Sequence, residues 1–223
     1  DIPAGGSTKT IAVGTFGLGA QGAWALDLTN LTNLSSTQAS ANSHLLWELT
    51  DTDAAQIGYM PNAPAVFSAV NGDTNKWVAV FGNGYNSSES DGHADATGEG
   101  ALLVVDLLTG SVEKTLKTGK KATNDPTGAS RPNALTEPVV ADADQDGVGD
   151  YLYAGDLFGN LWKVDISGDS IADWAFTTAT GSSTPKPLFT TVSREGTAQP
   201  ITARPSVAHH PEGGLLVLVG TGK

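Results

Sequence analysis

An apolar run that ends in a glycine turn occurs four times in this chain. The four runs are Ile11-Ala12-Val13-Gly14, Trp77-Val78-Ala79-Val80-Phe81-Gly82, Tyr151-Leu152-Tyr153-Ala154-Gly155 and Leu215-Leu216-Val217-Leu218-Val219-Gly220, and their glycines are spaced by 68, 73 and 65 residues. A period of this kind marks a repeat architecture, in which each unit buries its apolar faces against its neighbours. Upstream of three of the runs stand Pro64-Ala65-Val66, Pro138-Val139-Val140 and Pro205-Ser206-Val207. Downstream of the first three comes an apolar-Asp-apolar element: Ala25-Leu26-Asp27-Leu28, Val104-Val105-Asp106-Leu107 and Lys163-Val164-Asp165-Ile166. A weaker strand follows each time, at Leu46-Trp47-Glu48-Leu49, Val112-Glu113-Lys114-Thr115-Leu116 and Trp174-Ala175-Phe176-Thr177. Each unit therefore reads as four short strands, the blade of a β-propeller. Its second strand is apolar at successive positions, which suits a strand covered on both faces by stacked blades. Asp27, Asp106 and Asp165, at the ends of third strands, are expected to bond their own following backbone in turns.

The fold class is accordingly all-β: a partial, modified β-propeller forming a single domain over residues 1–223. The repeats fall at about 1–60, 61–130, 131–200 and an incomplete 201–223. On this reading the chain opens at a second strand and stops just after another, at Thr221-Gly222-Lys223. That is about three blades of strands, where propellers close with about four to eight. An open arc leaves sheet faces and edges uncovered, so the expectation is a piece of a longer protein, or a chain that assembles with the missing part. Asp1-Ile2-Pro3-Ala4 reads as a mature or internal start. The 27 glycines and 11 prolines punctuate the sequence too densely for long helices.

Charge narrows the partners. A net charge of −12 repels phosphate backbones and anionic membranes, which argues against nucleic acid and against direct membrane insertion, and makes cations the natural ligands. No stretch approaches the ~20 apolar residues that span a bilayer. The absence of cysteine excludes disulfides and thiolate metal sites.

The sharpest chemical signal is residues 142–150, Asp-Ala-Asp-Gln-Asp-Gly-Val-Gly-Asp. Carboxylates fall at loop positions one, three, five and nine, with glycine at six and a carbonyl donor at seven. This is the donor order of an EF-hand calcium loop, naming Asp142, Asp144, Asp146, the Val148 carbonyl and Asp150 as ligands of Ca2+. Calcium takes six to eight hard oxygens, and alternating side chains of a tightly curled loop converge on one point; Gly147 permits the curl. Position twelve, an EF-hand glutamate, is here Tyr153 inside a strand. The loop is thus a shortened one between two strands, with water or a neighbouring carbonyl completing the shell. Magnesium, which prefers a rigid octahedron and retains its waters, fits less well. The alternative is an acidic turn without metal, whose carboxylates would repel one another uncompensated. The matching places in other repeats lack the donors: Asn71-Gly72-Asp73-Thr74-Asn75 keeps fragments and His209-His210-Pro211-Glu212-Gly213 none.

Other features read as structural. The polar segment Tyr85 to Gly98 reads as a solvated insertion in preference to a binding loop or a second weak cation site, its acidic residues lacking ligand spacing. His44, His93, His209 and His210 share no zinc-like spacing with carboxylates. Gly17-Leu18-Gly19-Ala20-Gln21-Gly22 matches a dinucleotide fingerprint but opens a strand rather than a helix. Trp24, Trp47, Trp77, Trp162 and Trp174 are placed in the core rather than on a sugar-stacking surface. No catalytic motif is present, so the chain reads as a binding protein and not an enzyme.

The stretch from Pro138 to Asp165 closely resembles the C-terminal domain of the PilY/PilC family of type IV pilus assembly factors and tip adhesins. Val13-Gly14-Thr15-Phe16-Gly17 leading to Ala25-Leu26-Asp27, the Leu46-Trp47-Glu48 segment, and Val219-Gly220-Thr221-Gly222-Lys223 resemble the same domain, in order. The resemblance implies a modified β-propeller whose calcium loop, with ligands at Asp142, Asp144, Asp146, Val148 and Asp150, controls pilus extension and retraction. It also implies display at the pilus tip on the surface of a Gram-negative bacterium. The implied partners are the rest of a larger adhesin chain, minor pilin subunits, and a host or abiotic surface. Two other readings compete. Val105-Asp106-Leu107-Leu108-Thr109-Gly110 resembles a turn of quinoprotein dehydrogenase propellers, although those enzymes usually carry adjacent cysteines. Integrin-type propellers share the Asp-x-Asp-x-Asp-Gly-x-x-Asp loop but carry it in several blades.

Overall fold

The computed structural model describes residues 2–4, 6–31, 37, 43–89 and 93–221. The repeats read from the sequence are separate antiparallel sheets. The chain starts with a hairpin of β1 (Ile2–Ala4) and β2 (Ser7–Lys9). The first sheet follows, with β3 (Ile11–Thr15), β4 (Gly22–Asp27) and β5 (Leu45–Thr50) in that order. The second is a complete four-stranded meander of β6 (Ala65–Asn71), β7 (Thr74–Gly82), β8 (Ala101–Asp106) and β9 (Val112–Lys117). The third contains β10 (Val139–Ala141), β11 (Tyr151–Gly155), β12 (Asn160–Asp165) and β13 (Ala175–Phe176), with β14 (Phe189–Thr190) also on β12. The last is a hairpin of β15 (Ser206–His209) and β16 (Leu215–Leu218).

Two details depart from the sequence reading. The chain does not open directly at a second strand: β1 and β2 precede it, and Ile2 is buried in the cluster between the first and second sheets. The third unit also has five strands, because its fourth is split. β13 pairs with one end of β12 and β14 with the other, while the intervening segment carries Pro185 and Pro187, which have no N–H to donate.

Successive apolar positions in the strands feed opposite cores. Val78 and Val80 of β7, with Leu102 and Val104 of β8, pack toward the third sheet against Leu152, Ala154, Trp162 and Val164. The residues between them, Ala79, Phe81, Leu103 and Val105, pack toward the first sheet against Ala23, Ala25, Trp47 and Leu49. Likewise Tyr153 and Leu161 turn away from the second sheet toward Val207, Leu215 and Val217 of the last. All six residues of β8 are buried, as a strand enclosed on both faces requires. The far side of the last hairpin leaves Leu216 and Leu218 exposed.

At two of the repeat glycines, Gly82 and Gly155, one unit is joined to the next. A Cβ on Gly82 would lie 2.2 Å from the Thr136 carbonyl oxygen, and one on Gly155 would lie 2.3 Å from Ile201 Cγ2. The chain entering the following sheet crosses directly over these positions. In the first three units the residue after the glycine bonds the chain entering the next sheet. Thr15 Oγ1 donates to the Met60 carbonyl at 2.6 Å, and Asn83 Oδ1 accepts the Leu135 amide at 2.9 Å. At the third joint the Asp156 carbonyl accepts the Ile201 amide at 3.0 Å. Their signal in the sequence is a polar residue directly after the repeat glycine in all four units: Thr15, Asn83, Asp156 and Thr221.

The aspartates at the ends of third strands form the expected turns: Asp27 accepts the Thr29 amide, Asp106 those of Leu108 and Thr109, and Asp165 that of Ser167. Between the second and third sheets, Asp125 is clasped by Arg131, which donates from Nε at 3.0 Å, from Nη2 at 2.9 Å and from its backbone amide at 2.9 Å. The Arg131 side chain, followed by that backbone amide and the Thr127 groups, holds the Asp125 carboxyl well below the usual carboxylate range, against the opposing effect of burial. A carboxyl depressed on folding contributes stability above its unfolded pKa, and that contribution is lost as pH falls toward the folded value. Arg131→Ala is therefore expected to lower unfolding free energy at pH 7 by about 1–2 kcal/mol, the half-exposed guanidinium being partly screened. The gap from wild type should close as pH drops below about 4. Urea titrations at pH 7 and pH 3 check this, and a gap of constant size would contradict it.

Candidate metal centre

The loop between β10 and β11 replaces what is a tight turn in the second sheet. In the second sheet β6 and β7 are joined through Gly72 and Asp73, with Asn71 paired to Thr74. In the third sheet residues 142–150 are inserted at the same place, between Ala141 and Tyr151, which pair with each other. The inserted segment curls over its own backbone amides. Asp142 Oδ1 accepts the Gln145 amide at 2.6 Å and the Asp146 amide at 3.2 Å, and its Oδ2 accepts the Gly147 amide at 2.8 Å. Asp144 Oδ1 accepts from Asp146 at 3.2 Å, and Asp146 Oδ1 from Val148 at 2.7 Å. Gln145 at φ 66° and Gly147 at φ 90° make the two left-handed bends the curl needs, and Gly147 is suited to its bend because it has no Cβ.

This backbone brings one carboxylate oxygen from each of Asp142, Asp144 and Asp146 within 4.8 Å of the others. No other group of three or more potential metal-ligating side chains occurs among the described residues. Asp142 is half-buried, Asp144 and Asp146 are exposed, and none has a basic partner among the described residues. Asp150 lies outside the cluster of three. Its Oδ2 accepts the Ala143 amide at 2.6 Å, closing the loop from its far end. Its backbone anchors the loop, with the amide bonded to the Ala141 carbonyl and the carbonyl accepting from Ile166. Tyr153, at the place of the EF-hand glutamate, is paired with Val139 and buried in the core, and burial pushes its phenol above the ordinary range. The donor set is all oxygen, acidic and curled without a rigid octahedral frame. Such chemistry suits calcium.

The remaining polar features are structural. In the segment after Tyr85, Asp95 accepts from Thr97 and the Glu99 amide, and Glu99 accepts the Gly119 amide at 2.6 Å. Residues 90–92 of that segment, including Asp91, lie outside the described residues. His93 and His209 are exposed, His210 is half-buried, and the His44 ring bonds the Asp27 carbonyl. The Val105–Gly110 stretch is the β8–β9 turn. In it Gly110, at φ 75°, sits against the Trp47 ring, and Trp47 Nε1 donates to the Leu107 carbonyl at 2.9 Å.

The family model of the PilY1 β-propeller domain matches residues 2–223. The chain belongs to the PilY1 β-propeller family. It is 38% identical, over 98% of its length, to the type IV pilus biogenesis factor PilY1 of Pseudomonas aeruginosa, and 33% identical, over 98% of its length, to a PilY1 homologue of Xylella fastidiosa. It spans 18% and 14% of those PilY1 chains. The crystal structure of the Pseudomonas aeruginosa PilY1 C-terminal domain superposes with a TM-score of 0.78 at 32% identity, covering 99% of this chain and 42% of that one. The match extends the PilY1 likeness across every sheet described above, including both hairpins at the ends.

Proposed function

We propose that this chain is the calcium-binding module of a type IV pilus biogenesis factor, and that the ion it holds regulates pilus extension and retraction and attachment to host or abiotic surfaces. The observation that carries the reading is the single loop at residues 142–150, whose amides aim three carboxylates at one point within a PilY1-type propeller. Asp142, Asp144, Asp146 and Asp150 would hold the ion with their side chains, and Val148 with its carbonyl. Bound calcium supplies a compact double positive charge that neutralises the crowded carboxylates and ties both ends of the loop together. The chain's own part is to hold the carboxylates of Asp142, Asp144 and Asp146 near one another through amide donors of the same loop. The longer pilus biogenesis factors among its relatives support placing the module in a larger adhesin at the pilus tip, on the surface of a Gram-negative cell, beside minor pilins. Non-catalytic action fits the same relatives.

Calorimetric titration tests the reading. Wild type is expected to bind one calcium ion with a Kd of order ~µM and magnesium far more weakly. Asp146→Ala is expected to weaken calcium by about 100-fold, the loss of roughly 3 kcal/mol from a charged donor. Carried into the full-length parent protein in its bacterium, the same substitution should change surface pilus number and motility. Absence of calcium heat in wild type would end the proposal.

A further inference from the structure

The metal loop does not stand clear of the fold. Gly149 is buried, and a Cβ on it would lie 2.6 Å from Val140 Cγ2, 3.1 Å from Ile166 Cδ1 and 3.1 Å from Phe67 Cδ2. Its amide points to the Ser68 carbonyl at 3.5 Å. Phe67 and Ser68 belong to β6, so the last turn of the loop is inserted into the seam between the second and third sheets. Phe67 in turn stacks on Trp174, ring centroids 6.0 Å apart and planes 17° from parallel. Trp174 is 1% exposed, and its Nε1 is buried without a hydrogen-bond partner among the described residues, so its surroundings are set by packing alone. The seam continues through the Gly72 amide, which donates to the Asp169 carbonyl at 2.7 Å, and Ser170 Oγ, which bonds Asn71 Oδ1 at 3.4 Å.

We propose that occupancy of the 142–150 loop is coupled to this inter-sheet seam through Gly149, Phe67 and Trp174, so that the ion controls how firmly the second and third sheets are joined. The inference rests on the calcium reading above and adds what the ion acts on. Without the ion, three carboxylates within 4.8 Å repel, and the repulsion is relieved by opening the curl. Asp150 is pinned to Ala141 and Ile166, so opening strains the adjacent Gly149, which has no free volume in which to move. The strain passes to Phe67 and its stacked indole. Coupling of this kind is reciprocal: whatever loosens the seam must also weaken the ion.

The test uses this chain with calcium chloride and with chelator. Tryptophan emission of wild type is expected to change on calcium addition, and the change should disappear in Trp174→Phe, which retains the other four indoles. Phe67→Leu, nearly conserving volume while removing the stack and touching no donor, should weaken calcium about tenfold by calorimetry. Should Phe67→Leu fail to fold, Ile166→Val, which thins the same packing around Gly149, provides the second measurement, with an expected loss of about fivefold. If wild type binds no calcium, the site itself is refuted and the coupling with it. If wild type binds calcium while the folded seam variant keeps wild-type affinity and the emission change survives Trp174→Phe, the site stands and the coupling is overturned.

Discussion

Asp156→Ala is expected to remove about 4 kcal/mol of unfolding free energy, a large share of the ~5–15 kcal/mol typical of a domain. The carboxylate is 0% exposed and accepts five N–H groups. Oδ1 takes the backbone amides of Phe158 and Asn160 at 2.9 and 2.8 Å. Oδ2 takes Asn133 Nδ2 at 3.0 Å, Asn160 Nδ2 at 2.9 Å and Trp162 Nε1 at 2.8 Å. Alanine would strand all five donors in the interior, where each unsatisfied group costs desolvation with nothing in return. The isosteric Asp156→Asn is the sharper probe. Both oxygens are acceptors here, so either orientation of an asparagine amide sets an NH2 group against N–H donors. A loss of about 2–3 kcal/mol is expected, whereas Asp165→Asn, exposed and bonded only within its own turn, should cost less than about 1 kcal/mol. Urea unfolding followed by circular dichroism measures all three, and an Asp156→Asn midpoint equal to wild type would refute the role.

Calcium is expected to raise the melting temperature by about 8–16 °C when its free concentration is a thousandfold above Kd. Binding to the folded state alone stabilises by RT ln(1 + [L]/Kd), about 4 kcal/mol at that ratio, and a chain of this length gains about 2–4 °C per kcal/mol. Asp146→Ala should lose most of that rise. In chelator, wild type and variant should melt close together, because Asp146 lies exposed at the loop's tip and its main partner is the Val148 amide. Magnesium at equal concentration should give little shift. Identical wild-type melts in calcium and in chelator would remove the basis for a metal at residues 142–150.

The features legible in the sequence were those determined locally. A strand enclosed on both faces must be apolar at consecutive positions, so β7, β8 and β11 identified themselves without reference to their neighbours. The curl of the acidic loop was legible for the same reason: Asp142, Asp144 and Asp146 sit two residues apart and the amides they accept lie within the same nine residues, so the curl is a property of the segment. The turns at Asp27, Asp106 and Asp165 likewise close over the next two or three residues. The N-terminal hairpin was missed because Ser7-Thr8-Lys9 carries no apolar pattern of its own, and its burial comes from Ile2 reaching a core built by distant strands.

The repeat, the strands and the acidic loop can be read from neighbouring residues alone, since short-range spacing and the two-faced burial of a blade leave direct marks there. How the units are joined emerges with the folded chain: Asn83 reaching Leu135, Asp156 gathering donors from Asn133 to Trp162, and Gly149 wedged against Phe67. Those partners lie far apart along the chain, or on different sheets. Which side chain meets which is settled by the stacking of whole sheets, a packing property that no local periodicity encodes.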